Sequence, residues 1–318
     1  MRMKGGSRMR LIRNTWKHRA LLMMALPGIA LIIMFNYMPM YGQIIAFKKF
    51  NYIGGIMGSP WVGFDNFRFL FSNSATFVRI VRNTVGYYAL FTVVGTVCNI
   101  ALAIGLYECI FKKYARISQT LMIMPTFVSY IAVSFILKAL IDSPNGMINH
   151  IMMGFGGTPI QFYMKPQYWP MILTLVNVWK GTGYGSILYL SALSGMDQEL
   201  FEAAQLDGAS KSQQIRYITL PMLSSMIAIL LLLGLGGIMT SNTGLFYQVT
   251  RNIGILYSTT QTIDAYVMNA LVGGAATGGT NAYGMTAAVT LFQSFVGCVM
   301  VVSVNLIVKK FSPESSIF

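Results

Sequence analysis

Residues able to do chemistry are scarce in this sequence, and the sets that catalysis needs are missing. Cys98, Cys109 and Cys298 have neither CxxC nor metal-ligand spacing, and His18 and His150 stand far apart. No HExxH or GxxxxGKS/T match occurs, so neither a zinc hydrolase site nor the phosphate loop of a nucleotide hydrolase is encoded. What remains is of two kinds. The first is a set of polar and aromatic groups inside an apolar run: Asn177, Trp179, Lys180 and Tyr184, with Asn242 and Thr243 as weaker candidates further on. A charge in mid-membrane is costly and usually faces a bundle interior or a water-filled cavity. At 3.6 residues per turn, Asn177, Gly181, Tyr184 and Leu188 fall close to one stripe with Lys180. Amide, cation and aromatic together suit the hydroxyls and ring faces of a sugar. The same residues also fit plainer roles, with Lys180 paired to a neighbouring subunit or snorkelling, and Trp179 and Tyr184 only packing.

The second kind is a polar stretch in an otherwise apolar chain, Glu202-Ala203-Ala204-Gln205-Leu206-Asp207-Gly208, followed by Ile218-Thr219-Leu220-Pro221. Asp197 can cap a first helix, and Asp207-Gly208 can end it in a backbone of positive φ. Ser210 and Gln213 have capping-box spacing for a second helix, which Pro221 is expected to end. Ala203 and Ala204 let a partner approach closely. Glu199 and Glu202, one turn apart, can meet a basic one.

The elements that position these groups are membrane spans. With 55% hydrophobic and 10% charged residues, the 318-residue chain falls in the membrane class. Six apolar runs reach the roughly 20 residues a helix needs to cross hydrocarbon: 20–37, 84–107, 118–140, 169–193, 222–240 and 283–308. The fold class is therefore an all-α membrane protein of six transmembrane helices, with a cytoplasmic helix-turn-helix loop over 197–221. Residues 1–19 form a basic cytoplasmic segment, 20–310 the transmembrane domain and 311–318 a cytoplasmic tail. The net charge of +14 is not a nucleic-acid footprint, because the basic residues cluster beside apolar runs. Arg2, Lys4, Arg8, Arg10, Arg13, Lys17 and Arg19 precede the first run. Lys112, Lys113 and Arg116 lie between the second and third, and Lys309 and Lys310 after the last. That distribution fits lipid contact and puts both termini in the cytoplasm, with the 197–221 loop on the same side. Pro27 and Pro125 mark expected kinks within spans. The segments 48–82, 141–168 and 241–282 are expected outside. Asp65 is placed to cap an interfacial helix in the first, and Gly273 to Gly279 form a glycine-rich loop in the last.

At these positions a resemblance emerges. Glu202, Ala203, Ala204, Gly208, Ile218, Leu220 and Pro221 stand at the spacing of the "EAA" loop of ABC importer membrane subunits, the binding-protein-dependent permeases. Val62-Gly63, Asn66 and Phe67 resemble the VG-x-x-NF segment of sugar permeases in that family. The run Trp179 to Leu190, Ile263-Asp264-Ala265-Tyr266-Val267 and the ending Ser315-Ser316-Ile317-Phe318 are similar to the LplB-like branch, which serves oligosaccharides and polysaccharide fragments.

The resemblance implies that Glu202, Ala203, Ala204, Asp207, Gly208, Ile218, Leu220 and Pro221 couple the chain to an ATPase subunit. It implies a complex with a second homologous permease, two ATPase subunits and an extracytoplasmic solute-binding protein, located in the bacterial cytoplasmic membrane. The chain itself then carries no cofactor, since ATP and Mg are bound by the partner ATPase. Asn177, Trp179, Lys180, Tyr184 and Asn242 are the candidates for the carbohydrate pathway. The competing classes are an ATP-independent carrier or channel for a small polar solute, which composition alone leaves open, and a membrane enzyme. The enzyme is disfavoured because the nine acidic residues are dispersed, with four of them in the 197–221 region.

Overall fold

A computed structural model of the chain describes residues 19–72, 74–277 and 281–311. The basic cluster before Arg19, the glycines at 278 and 279 and the ending Ser315–Phe318 lie outside the described residues. Helix α1 is one apolar run, Arg19–Phe47. A short helix α2, Asp65–Ser72, starts at Asp65 itself. Helix α3, Ser74–Tyr107, has 34 residues and so extends roughly 50 Å, well beyond a hydrocarbon core. Then come α4, Lys112–Phe127, α5, Tyr130–Ile141, α6, Met147–Gly154, and α7, Trp169–Ser194. The polar stretch folds as α8, Gln198–Leu206, and leads into α9, Lys211–Gly237. Helices α10, Ile263–Thr277, and α11, Asn281–Phe311, complete the chain.

Of the six expected spans, four are long apolar helices: α1, α3, α9 and α11. The third is broken instead, since α4 and α5 meet at 100°. Pro125 lies in the last turn of α4, Val128 leaves the helical region at ψ 128°, and the Ser129 hydroxyl restarts α5 by accepting the Ala132 N–H. Helix α7 has the length of a span at 26 residues but is less apolar, and it packs against α3 and α4. At Gly183 a Cβ would lie 1.9 Å from the Met122 carbonyl oxygen, so only glycine allows this crossing with α4.

Pro221 does not end a helix. Leu220 is helical (φ −65°, ψ −43°), and the chain passes through Pro221 without interruption because residues Ile215–Thr219 form a π turn just before it. A proline lacks a donor, and its ring crowds the carbonyl four residues back; a wider turn relieves both. The same pairing occurs in α1, where the π turn Ile33–Tyr37 precedes Pro39, whereas Pro27 stays within regular helix.

The segment from 263 to 277 is likewise helical and not a glycine-rich loop, and 141–168 contains α6. The VG-x-x-NF residues have a structural role. The buried Asn66 amide donates to the carbonyls of Ala46 and Lys48 at the end of α1, and Phe67 packs against Phe47.

The described residues form three apolar cores, one around Ile80, Met239, Ile263 and Val289 and two at the ends of α7. Val133, Leu137, Trp169, Leu173, Leu245 and Phe246 pack at the start of α7, and Ala103, Tyr189, Leu193 and Leu223 at its finish. Between them lies the polar middle of the bundle.

Candidate functional site

Helix α3 carries Thr84, Tyr88, Thr92 and Thr96 at four-residue intervals, so their side chains rise along one face. That face, with α7 and α9, encloses a cleft of about 330 Å³ whose lining includes Asn99, Asn177, Thr182 and Leu231. A second cavity of about 240 Å³ continues it towards Ser241 and Asn242. The two share Tyr88, Phe91, Thr92 and Asn177, which makes them one passage along α3. Three buried polar atoms on its lining residues, Tyr87 Oη, Asn99 Oδ1 and Thr182 Oγ1, have no hydrogen-bond partner among the described residues. Leaving such groups unmet is costly, so the passage is chemically suited to a hydroxyl-bearing solute or water.

Of the residues singled out from sequence, Asn177 and Asn242 line this passage. The Asn242 amide also donates to the Tyr130 hydroxyl at 3.0 Å. Lys180 is placed otherwise. It is 8% exposed, and its ammonium donates to the carbonyls of Pro125 (3.1 Å), Thr126 (2.7 Å) and Val128 (2.6 Å). The Tyr130 ring lies 4.9 Å beneath it, and the Thr126 hydroxyl donates back to the Lys180 carbonyl. All three ammonium hydrogens are thus used on carbonyls at the α4–α5 break, of which that of Pro125 also accepts the Val128 N–H at 3.2 Å. Its position is 60° round the helix from Asn177 by ideal geometry, inside the buried sector, so the expected shared stripe resolves into two faces. Trp179 is 48% exposed on another side of α7, and Tyr184, though on the Asn177 side, is 63% exposed and outside the lining. The α3 ladder and Asn99 escaped the sequence reading, although the four-residue repeat of hydroxyls was visible in it.

The 197–221 unit lies at the finish of α7. Asp197 accepts the Glu199 N–H at 3.0 Å to start α8. Its end is a Schellman turn, with Gly208 N–H donating to Gln205 O (3.1 Å) and Ala209 N–H to Ala204 O (2.9 Å). Gly208 has φ +80°. Ser210 and Gln213 form a reciprocal capping box. Glu202, Ala203, Asp207 and Gly208 are exposed, Ala204 and Ile218 half-buried, and Leu220 and Pro221 exposed. Two contacts fasten the unit to the end of α3: Lys211 pairs with Glu108 at 2.8 Å, and Gln198 donates to the Tyr107 hydroxyl at 2.7 Å.

A polar passage walled by membrane-length helices, with an exposed helix-turn leading directly into one wall, defines the membrane component of a transport system. Residues 100–313 match the family described as binding-protein-dependent transport system inner membrane component. Protein LplB of Bacillus subtilis (strain 168) is 34% identical over 303 residues, which cover 95% of this chain and 91% of LplB. The polygalacturonan/rhamnogalacturonan transport system permease protein YteP of the same organism is 32% identical over 311 residues, covering 98% and 94%. Among solved structures, a chain of a bacterial ABC transporter involved in the import of the acidic polysaccharide alginate aligns with a TM-score of 0.81 and 29% identity, over 95% of this chain and 99% of that one. The chain belongs to the binding-protein-dependent transport system inner membrane component family. It is a multi-pass ABC permease subunit and not an enzyme.

Proposed function

We propose that this chain forms half of the translocation pathway of an ATP-driven importer of oligosaccharides or polysaccharide fragments. A second homologous permease supplies the other half, two ATPase subunits bind ATP and Mg, and an extracytoplasmic solute-binding protein delivers the cargo. One observation carries the reading: a single helical run, Lys211–Gly237, joins the exposed 197–221 unit to the wall of the passage. Glu202, Ala203, Ala204, Asp207 and Gly208 dock on the ATPase, and Ile218, Leu220 and Pro221 pass its displacement into α9. Closure of the ATPases then favours one of two packings of the passage, and hydrolysis restores the other.

Asn177 and Asn242 are the cargo contacts retained from the sequence, joined by Asn99, Thr182 and Tyr88. The names of similar proteins, a polygalacturonan/rhamnogalacturonan transport system permease and a transporter involved in the import of alginate, support a glycan cargo. The basic residues Lys112, Lys113, Arg116 and Lys309 support a cytoplasmic placement of the 197–221 unit and both termini. The test is uptake of labelled oligosaccharide into proteoliposomes holding the complete complex. Uptake is expected only with ATP inside and binding protein outside. Uptake by the permeases without the ATPases would identify an ATP-independent carrier or channel instead.

A further inference from the structure

At the end of the molecule away from α8, a separate cavity of about 450 Å³ opens between α5 and the π-helical segment Gly244–Val249. It shares no lining residue with the α3 passage: Phe246 lines the passage, while Tyr247 and Gln248 line this cavity. Its backbone is unusual. Arg251 and Asn252 both hold positive φ, 55° and 53°. The two residues close the π-helical segment as a Schellman turn, with Arg251 N–H donating to Gln248 O (3.1 Å) and Asn252 N–H to Tyr247 O (3.1 Å), and the Tyr257 hydroxyl donates to the Asn252 side-chain carbonyl at 2.8 Å; glycine is the usual residue where Arg251 stands. A long, exposed cation thus stands where a cap would ordinarily hold glycine.

The guanidinium lies over the Phe135 ring at 5.8 Å and has no carboxylate or hydrogen-bond partner among the described residues. Asp142, whose charge reaches Tyr163 as that of Arg251 does, forms no ion pair with it. Ser134, 6% exposed, lines the same cavity with its hydroxyl unpartnered among the described residues, and so do the Tyr247 hydroxyl and the Gln248 amide. A planar fork of N–H donors matches a carboxylate, while hydroxyl and amide groups beside an exposed aromatic face match a pyranose ring.

We infer that this cavity is a subsite for a carboxylate-bearing sugar residue of an acidic oligosaccharide, with Arg251 as its specificity determinant and Ser134, Tyr247 and Gln248 holding ring hydroxyls. The inference rests on the carbohydrate reading above. An acidic side chain of a docking protein is the competing occupant, and the Ser134 and Tyr247 hydroxyls and the Gln248 amide beside the guanidinium favour the sugar.

The experiment compares uptake by the complete reconstituted transporter of a galacturonate oligomer and of the same oligomer with its carboxyl groups reduced to alcohols. Arg251→Gln is expected to lower uptake of the acidic oligomer about tenfold and leave the neutral one unchanged. Arg251→Gly, which suits the backbone and so carries no folding penalty from φ, is expected to behave alike. Equal loss on both oligomers, or no loss on either, overturns the subsite. Weaker capture of the ligand-free binding protein by Arg251→Gln would assign the residue to protein docking and also overturn it. If the unaltered transporter imports the neutral oligomer but not the acidic one, only this inference fails; if it imports neither, the carbohydrate reading falls with it.

Discussion

Lys180 illustrates how a single residue can be assigned by its hydrogen bonds rather than by its charge. The carbonyls of Pro125, Thr126 and Val128 lie at the break of a span, and an ammonium with three donors meets all of them, that of Pro125 also accepting the Val128 N–H. Lys180→Met is expected to cost about 2 kcal/mol or more by removing the three hydrogen bonds from the ammonium, a fall of roughly 5 °C in the melting temperature of the purified complex. The KM for cargo should stay unchanged. A raised KM with an unaltered melting temperature would return Lys180 to the pathway. Tyr163, outside the spans, makes a contrasting case: its hydroxyl is buried without a partner among the described residues, and burial pushes its pKa up to about 12. Its unfolded value is about 10, so the folded state holds the proton longer and loses stability as pH rises from about 10 to 12, with no effect below. Tyr163→Phe should therefore be neutral or slightly stabilising near pH 7. It should also flatten the alkaline decline in a pH series of melting curves; an unchanged decline would show that another group causes it.

Among the elements, α9 matters most, because it is both the arm of the exposed unit and a wall of the passage. Its continuity depends on the π turn Ile215–Thr219, where Leu220 N–H reaches the Ile215 carbonyl and the Thr219 hydroxyl that of Gln214. The entry to it depends on Gly208. Gly208→Val would force a β-branched residue into φ +80°, at about 1–2 kcal/mol from backbone sterics alone. ATP hydrolysis should then continue while uptake falls, and a variant with normal uptake would remove this unit from the coupling path. Charge reversal at Glu202, which is exposed, should weaken co-purification of the ATPase. The caps at Asp197, Ser210 and Gln213 and the turn at Gly208 were legible in the sequence because each depends on residues within a few positions. Pro221 was misread because the local rule treats proline as a terminator and does not foresee a π turn that absorbs it. The stripe through Lys180 failed for a different reason: helical period places residues on a face, but only packing against α4 shows which face is buried. The α3 hydroxyl ladder went unnoticed because each threonine alone is unremarkable in an apolar run, and its meaning comes from α7 and α9 closing over it.

For the whole molecule, the decisive arrangement is that the 197–221 unit is attached to two walls of the passage. Lys211–Glu108 and Gln198–Tyr107 fasten it to α3, and the helical run through Pro221 fastens it to α9, so a push on α8 acts on both sides of the passage. An exposed ion pair contributes little stability, and its value here is geometric. If the walls move together with the nucleotide state, the accessibility of Asn99 must change with it, since Asn99 lines the passage and its carbonyl oxygen is buried. With Cys98, Cys109 and Cys298 replaced by serine, Asn99→Cys should react with a water-soluble maleimide at rates about tenfold apart in the nucleotide-free and ATP-trapped complexes. A bias of only ~1.4 kcal/mol between the two packings is enough for that. Trp179→Cys, outside the passage lining on α7, should react alike in both states. Equal rates at Asn99 would mean that this passage does not alternate, and the route for cargo would have to be sought elsewhere in the assembled complex.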